Sequence, residues 1–561
     1  MTKIFYPSSE RLTFLLESIY NREVALPDFQ RDFVWEPRAT EELIESLCQN
    51  FPAGSLLRIK NSQSFYFQPH HFAGAPSLDG HEPSYLILDG QQRLTSLYQA
   101  LHGIGSHRYL VDLKGLMDGN DLEDCVFCLR RAEAERRYGK ISQQADSLVF
   151  PLSVLFATSG SFEEWLDEVL GLRPETGEDL QDLKKRLREA RRAWLKPIED
   201  YEFPMVTLAE DTSGVAVCTI FETLNRTGVK LSPFDLLAAR FWPKDLRLRR
   251  DWLDALKQRP IISNFEVDPY YVLQAIAIFN PLPDRAPSCK RKDVLDLKVE
   301  QVRAGWQPVI AGFAATLELL RDSCGVLVPS ALPYNTALIP MAATVAKAMP
   351  EKGPAIAAAR EKLRRWFWCA TFSQAYENAP NSQAVVDYME LTSWIAGGEP
   401  PRTVANFIFR PEQLHETTPR QRALYRGVMA LILAHGAQDF HTGMTLTPAA
   451  MVDRDRRIDD HHIFPQAFLA ERSIQVSDTA RDCVLNRTLI DQSTDVRIGK
   501  SAPSAYLADI EAEVGPETLK AILASHLLPS EAQSSLRSDR FEDFLDERAR
   551  LISEELSRVT T

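Results

Sequence analysis

Residues 457–469 read RIDDHHIFPQAFL. His461 and His462 stand side by side, between a pair of aspartates and an Ile-Phe-Pro run. The segment reads as a short strand that ends at the histidines. Neighbouring side chains on a strand point to opposite faces. One imidazole can therefore hold something on one side while the other acts a little further round. Downstream, VLNRTLI (484–490) reads as a second strand. Asp495 falls where a helix or loop begins, followed by Arg497 and Lys500.

Strand, loop, strand and then a helix bearing a polar residue is the layout of a ββα-metal site. Its chemistry needs few parts. One imidazole or carboxylate and one Asn or Asp hold a divalent cation, which stabilises a leaving oxygen and the charge developing on phosphorus. A second imidazole, off the metal, takes a proton from water, a step suited to a pKa near the working pH. Two plainer readings compete: a structural zinc, or histidines that are merely exposed. Structural zinc wants four close ligands, and Cys483 is the only cysteine nearby in sequence.

The segment resembles the HNH (His-Me finger) endonucleases, in the version found at the C-terminus of GmrSD-type restriction enzymes. The resemblance puts His461 in the metal-binding position and His462 in the general-base position. It puts Asn486 where a strand-two asparagine helps to fix the base. Asp495 takes a place where many members carry a metal-binding asparagine. An Asp there suits Mg²⁺ or Mn²⁺, since carboxylate oxygen is a good ligand for either. Arg497 and Lys500 are then candidates to clamp the scissile phosphate.

Working outward, residues 1–240 alternate strand-like and helix-like patterns. EELIESLCQNF (41–51) is amphipathic, with Leu43, Ile44, Leu47 and Phe51 on one face. GSLLRIK (54–60) and YLILD (85–89) read as strands. LTSLYQALHGIG (94–105) has helical spacing and ends at glycine. Within LILDGQQRLTSLYQAL (86–101), Asp89 ends the strand, Gly90 permits a turn, and Gln91, Gln92 and Arg93 open the helix. Free N–H groups there favour a phosphate, and Arg93 adds a planar cation. Gln30 and Arg31, from PDFQRDFVW (27–35), can approach the same place. The same residues also suit a polar turn in which Arg93 pairs with Asp89. A third motif, FETLNRTGVKLSPFDLL (221–237), has a turn at Asn225 and Gly228. Ser232 then caps a helix that has Pro233 first and Asp235 third.

These three segments resemble the ParB/sulfiredoxin-like domain that accompanies this HNH type. The resemblance implies binding and hydrolysis of GTP or ATP through Asp89, Gly90, Gln91, Gln92 and Arg93, with Gln30 and Arg31 alongside. It is not a Walker loop: the one Gly-Lys-Ser, at 499–501, has Thr494 where the first glycine belongs.

Residues 241–420 carry long helical patterns and no evident chemistry; Trp366, Phe367 and Trp368 read as core. The expected fold is therefore α+β and predominantly helical. It comprises a ParB/sulfiredoxin-like α/β domain over 1–240, a helical connecting region over 241–420 and a ββα-metal HNH domain over 421–561. The length of 561 residues suits several domains.

Net charge is −13, unlike the basic profile of a general nucleic-acid binder. Any DNA contact must use local basic patches, and KKRLREARRAWLK (184–196) reads as a solvated helix face. No run of about 18 apolar residues is present, so no membrane span is expected. The N-terminus meets charge too early for a signal peptide. Eight scattered cysteines suit a reducing cytoplasm. Cys125 and Cys128 form a lone CxxC and read as ordinary buried cysteines. The resemblance implies a nucleotide-regulated, metal-dependent DNA endonuclease of anti-phage defence that cleaves modified phage DNA, either as a monomer or as a homo-oligomer. Two alternatives stay open: a nicking or toxic nuclease blind to modification, and an NTP-switched scaffold with an inert HNH domain.

Overall fold

The computed structural model describes residues 5–28, 30, 33–61, 67–156, 161–209, 212, 216–217, 220, 232–282, 285–350, 353–452, 458–471 and 477–561. It is a predominantly helical α+β chain in two compact units, Met1–Leu248 and Arg249–Thr561.

The first unit is built on a six-stranded mixed sheet. Its strands are β1 (Phe5–Arg11), β2 (Val24–Pro27), β3 (Leu56–Lys60), β4 (Pro69–His70), β5 (Tyr85–Asp89) and β9 (Glu202–Leu208), in the order β1-β9-β3-β5-β2-β4. β5 lies between β3, which is antiparallel to it, and β2, which is parallel. Leu86, Ile87 and Leu88 are all buried. Successive strand residues face opposite ways, so β5 is covered on both faces. A second sheet, β7-β6-β8, comprises β6 (His107–Asp112), β7 (Val126–Arg130) and β8 (Val149–Pro151).

Strand β5 stops because Gly90 turns the chain at φ +97°, where a Cβ would lie 2.1 Å from Leu56 Cδ2. That position excludes any side chain twice over, by backbone conformation and by space. The Gln91–Leu101 helix follows and buries Leu94, Leu97, Tyr98 and Leu101, as the spacing predicts. The Pro37–Cys48 helix buries Leu43, Ile44 and Leu47, but ends before Phe51, which is exposed. The expected apolar face is thus one residue shorter than its sequence pattern. The basic run at 184–196 is a solvated surface whose charges are met locally, Lys184 by Asp167 and Arg188 by Glu163. Burial pushes the Cys125 and Cys128 thiols up to about 11 and about 12, so both are protonated at neutral pH.

The second unit is a helical assembly bearing one small β-ribbon. The Val299–Ser323 helix buries Val302, Trp306, Val309, Phe313, Leu317 and Leu320 at three- and four-residue intervals, the pattern of a core-facing stripe. It packs on the Leu338–Ala348 helix. Gly312 makes the approach close: a Cβ there would lie 2.2 Å from the Ala342 carbonyl oxygen. The Pro354–Phe372 helix, with Trp366, Phe367 and Trp368 buried, meets both the Arg422–Ala434 helix and the Phe541–Thr560 helix. No helix among the described residues is long and apolar enough to cross a membrane.

Replacing Gly312 by Ala should destabilise the second unit by about 1–3 kcal/mol, because the backbones must part. This outweighs the ~1 kcal/mol of helix propensity that alanine brings. Gly171→Ala, where nothing lies within 4 Å, should be neutral or stabilising. Urea unfolding of the two variants beside the wild type checks the contrast.

Candidate functional site

The ribbon consists of β10 (Ile458–His462) and β11 (Arg487–Asp491), antiparallel, with His461 opposite Thr488 and His462 opposite Arg487. The two histidines end β10 as expected, and the alternation separates them. The His461 side chain is 3% exposed, whereas that of His462 is 21% exposed.

His461 points to the Gln492–Ile498 helix, where its Nδ1 meets Asp495 Oδ1 at 2.5 Å. The contact holds the Asp495 carboxyl below its ordinary pKa. The other ring nitrogen of His461, Nε2, is buried with no hydrogen-bond partner. An imidazole nitrogen and a carboxylate oxygen thus face each other directly. Two atoms that share a cation at about 2.1 Å each stand about 3 Å apart, so the pair would open by about half an ångström to hold a small divalent ion. Among the described residues no group of three His, Cys, Asp or Glu residues could hold a metal. Two protein donors are the kind of set that Mg²⁺ completes with water and phosphate oxygens, whereas a structural zinc takes four protein ligands.

His462 lies on the other side. Its Nε2 is 3.1 Å from Asp482 Oδ1 and 3.0 Å from the Gln466 amide nitrogen. Burial, and then the charge of Arg487, lower its pKa against the opposing pull of Asp482. A neutral ring is the form that accepts a proton.

Asn486, expected in the second strand, lies one residue before it, in the Val484–Asn486 turn. It is fully buried and spends its amide on backbone. Its oxygen accepts from the Phe464 N–H at 2.8 Å, and its nitrogen donates to the carbonyls of Phe464 and Arg481. The Ile463 N–H donates in turn to the Asn486 carbonyl. Asn486 therefore fixes the chain directly after His462 without touching the imidazole. Arg497 is paired with Glu513, and Lys500 is exposed beyond the helix end.

Several residues of this site have no local sequence signal. Arg548, on the last helix, is fully buried and donates to the carbonyls of Leu485 (2.6 Å) and Arg487 (2.7 Å). Asp439, also fully buried, accepts from the Asp491 N–H and from the Thr494 hydroxyl, both at 2.9 Å. It thereby tethers the helix that carries Asp495. His526 lies behind Thr488, whose hydroxyl is 2.7 Å from Nδ1, while Nε2–H donates to the Gln438 carbonyl.

In the first unit, the structure brings Gln30 to the end of β5, where its amide donates to the carbonyls of Ile87 and Leu88. Gln92 accepts from the Val34 N–H. Arg93 donates to the Ala53 carbonyl at 2.8 Å and pairs with Asp89 at 3.4 Å. Burial raises the Asp89 pKa against the pull of Arg93. Ser232 caps its helix through Asp235 as the sequence indicates. Arg31, Asn225 and Gly228 lie outside the described residues.

Residues 13–242 match the family model of the GmrSD restriction endonuclease N-terminal domain. The match covers most of the first unit and stops well before the double histidine. The chain is also 27% identical to an uncharacterized protein of Methanocaldococcus jannaschii, over 609 aligned positions that span 98% of each chain.

Burial lowers the pKa of His526 from 6.5 to about 4. The unfolded chain then takes up the proton first, so stability is full above the unfolded pKa and is lost as pH falls toward the folded one. Urea unfolding of the second unit should show this loss between neutrality and the folded pKa. In His526→Gln the fall should be shallower, from a lower starting stability.

Proposed function

We propose that the chain is a DNA endonuclease of phage defence, cutting at the double-histidine ribbon and governed by a nucleotide bound in the first unit. The observation that carries this reading is the direct contact of His461 with Asp495, with His462 on the adjacent residue and the opposite face. The match of residues 13–242 to a restriction-endonuclease domain supports the defence setting.

His462 takes a proton from water, and the water oxygen bonds to phosphorus as the bond from phosphorus to the leaving oxygen breaks. Solvent returns a proton to that oxygen. A Mg²⁺ or Mn²⁺ ion held by His461 and Asp495, when bound, supplies stabilisation of the charge on the leaving oxygen and the phosphoryl group. Asn486 holds the Ile463–Phe464 backbone and so keeps His462 at the mouth of the ribbon. Lys500 is placed to meet a DNA phosphate; Arg497 can do so only on leaving Glu513. In the first unit, Gly90, Gln91, Gln92 and Arg93 at the start of the Gln91–Leu101 helix receive the phosphates of GTP or ATP. Gln30 lies alongside, Arg31 is assigned to the same task from its place in the sequence, and Asp89 and Arg93 serve hydrolysis. The substrate in this reading is modified phage DNA.

His462→Ala should lose cleavage by about 10²–10⁴-fold while Mn²⁺ affinity and nucleotide hydrolysis persist. His461→Ala and Asp495→Ala should weaken Mn²⁺ binding, with partial rescue of cleavage at high metal. Asp495→Asn should be the mildest of the set, since it keeps an oxygen ligand. Calorimetry with Mn²⁺ and cleavage of a panel of plain and modified DNAs check these outcomes. Cleavage by His462→Ala at the wild-type rate would sink the assignment.

Arg93→Ala should impair GTP or ATP turnover and leave Mn²⁺ binding at the ribbon intact. Arg93→Lys should rescue only in part, because a point charge does not replace the planar fork. Nucleotide binding and turnover, measured beside the melting temperature of each variant, separate lost chemistry from a loosened turn.

A further inference from the structure

We propose that Asp482, itself held by Arg487, is a positioning residue that fixes which ring nitrogen of His462 is free to take a proton. This inference rests on the nuclease reading above and adds to it a residue outside the motif.

The placement follows from the ribbon. His462 and Arg487 are directly opposed in the β10–β11 register, and opposed residues share a face. The short Asp478–Asp482 helix ends where Asp482 can reach both. One carboxylate oxygen, Asp482 Oδ1, contacts His462 Nε2 at 3.1 Å and also Arg487 Nη2. The Arg487 fork is fixed in turn: Nη1 donates to the Asp460 carbonyl at 3.1 Å and pairs with the Asp460 carboxylate at 3.4 Å. Asp460 receives the Tyr425 hydroxyl at 2.5 Å. Asp482 therefore stands at the end of a chain that runs from Tyr425 through Asp460 and Arg487, and has little freedom to turn away.

An ionised carboxylate only accepts hydrogen bonds. Burial works against the charge on Asp482, but its contacts with Arg487 and His462 outweigh burial and hold its pKa below the ordinary value. The nitrogen facing it must carry the proton, which leaves the lone pair of neutral His462 on Nδ1. Gln466 meets the same Nε2 through its amide nitrogen; this tautomer requires the amide to turn its oxygen to the ring, which the like shape of its two ends permits. Both neighbours are thus compatible with one tautomer. Without Asp482, the ring is divided between two tautomers and two orientations. Partners that orient a metal-bound imidazole are typically worth about 10–100-fold in activity, and a loss of the same order is expected for this off-metal ring.

The test uses the full chain with Mn²⁺ and a DNA duplex that the wild type cuts. Asp482→Asn should lower the single-turnover rate about 10–100-fold with DNA and Mn²⁺ affinities unchanged, and Asp482→Glu should recover part of the loss. The tautomer is read directly by two-bond ¹H–¹⁵N spectra of histidine-labelled protein at one mildly alkaline pH, with His462 assigned by its loss in His462→Gln. The wild type should show proton-bearing Nε2 at His462. Asp482→Asn, which can donate to that nitrogen, should shift the ring toward proton-bearing Nδ1. A wild-type rate in Asp482→Asn overturns the inference, as does a slowed rate with an unchanged tautomer. If His462→Ala itself cuts normally, the nuclease reading has failed; if His462→Ala is dead and Asp482→Asn is fully active, only this inference has.

Discussion

One buried guanidinium sets the geometry of the double-histidine ribbon. Arg548 lies inside the protein with its hydrogen bonds all made to main-chain carbonyls, chiefly those of Leu485 and Arg487. Taking a cation out of water costs several kcal/mol after relaxation. Burial lowers the Arg548 pKa only to about 9, so the charge survives at neutral pH, with oriented carbonyl dipoles in place of a carboxylate. Those carbonyls belong to the turn that carries Asn486 and to the first residue of β11. Fixing them fixes the amide that closes the chain behind His462.

Asp439 performs the mirror-image task on the side of Asp495. Its carboxylate is buried and also solvated by protein dipoles, here the N–H groups of Asp491, His441 and Thr442 and the hydroxyls of Thr442 and Thr494. Asp495 follows Thr494 directly, so its carboxylate inherits its position from that tether. A ribbon of two five-residue strands is marginal by itself. It gains precision from two buried ions of opposite sign, one gripping the turn before β11 and the other the helix after it.

The local part of this arrangement was legible in the sequence. A strand ending at His461 and His462, the split of the two rings between opposite faces and the helical setting of Asp495 all follow from patterns within forty residues. Asn486 was expected in the strand and lies one residue before it. Its amide is committed to the Phe464 backbone, and the tight turn before β11 makes that reach. Phe51 was misread because an amphipathic pattern does not show where a helix stops. Arg93 fitted two readings, and the structure has it paired with Asp89 while it opens the helix, an arrangement that the spacing alone could not select. Asp439, Asp482 and Arg548 were invisible. Asp439 and Arg548 are buried charges, which reveal themselves by surroundings drawn from distant segments; Asp482 is partly exposed with Arg487 close by, and no motif marks it.

The distance between Arg548 and its partners also bears on how the protein is made. Arg548 follows Arg487 by 61 residues, so both histidines, the turn and Asp495 leave the ribosome well before the group that organises them. Contacts of such sequence separation form late, because the loop must close before they can contribute. A nascent chain halted between Lys500 and Arg548 carries every residue of the motif but lacks the guanidinium that holds its turn.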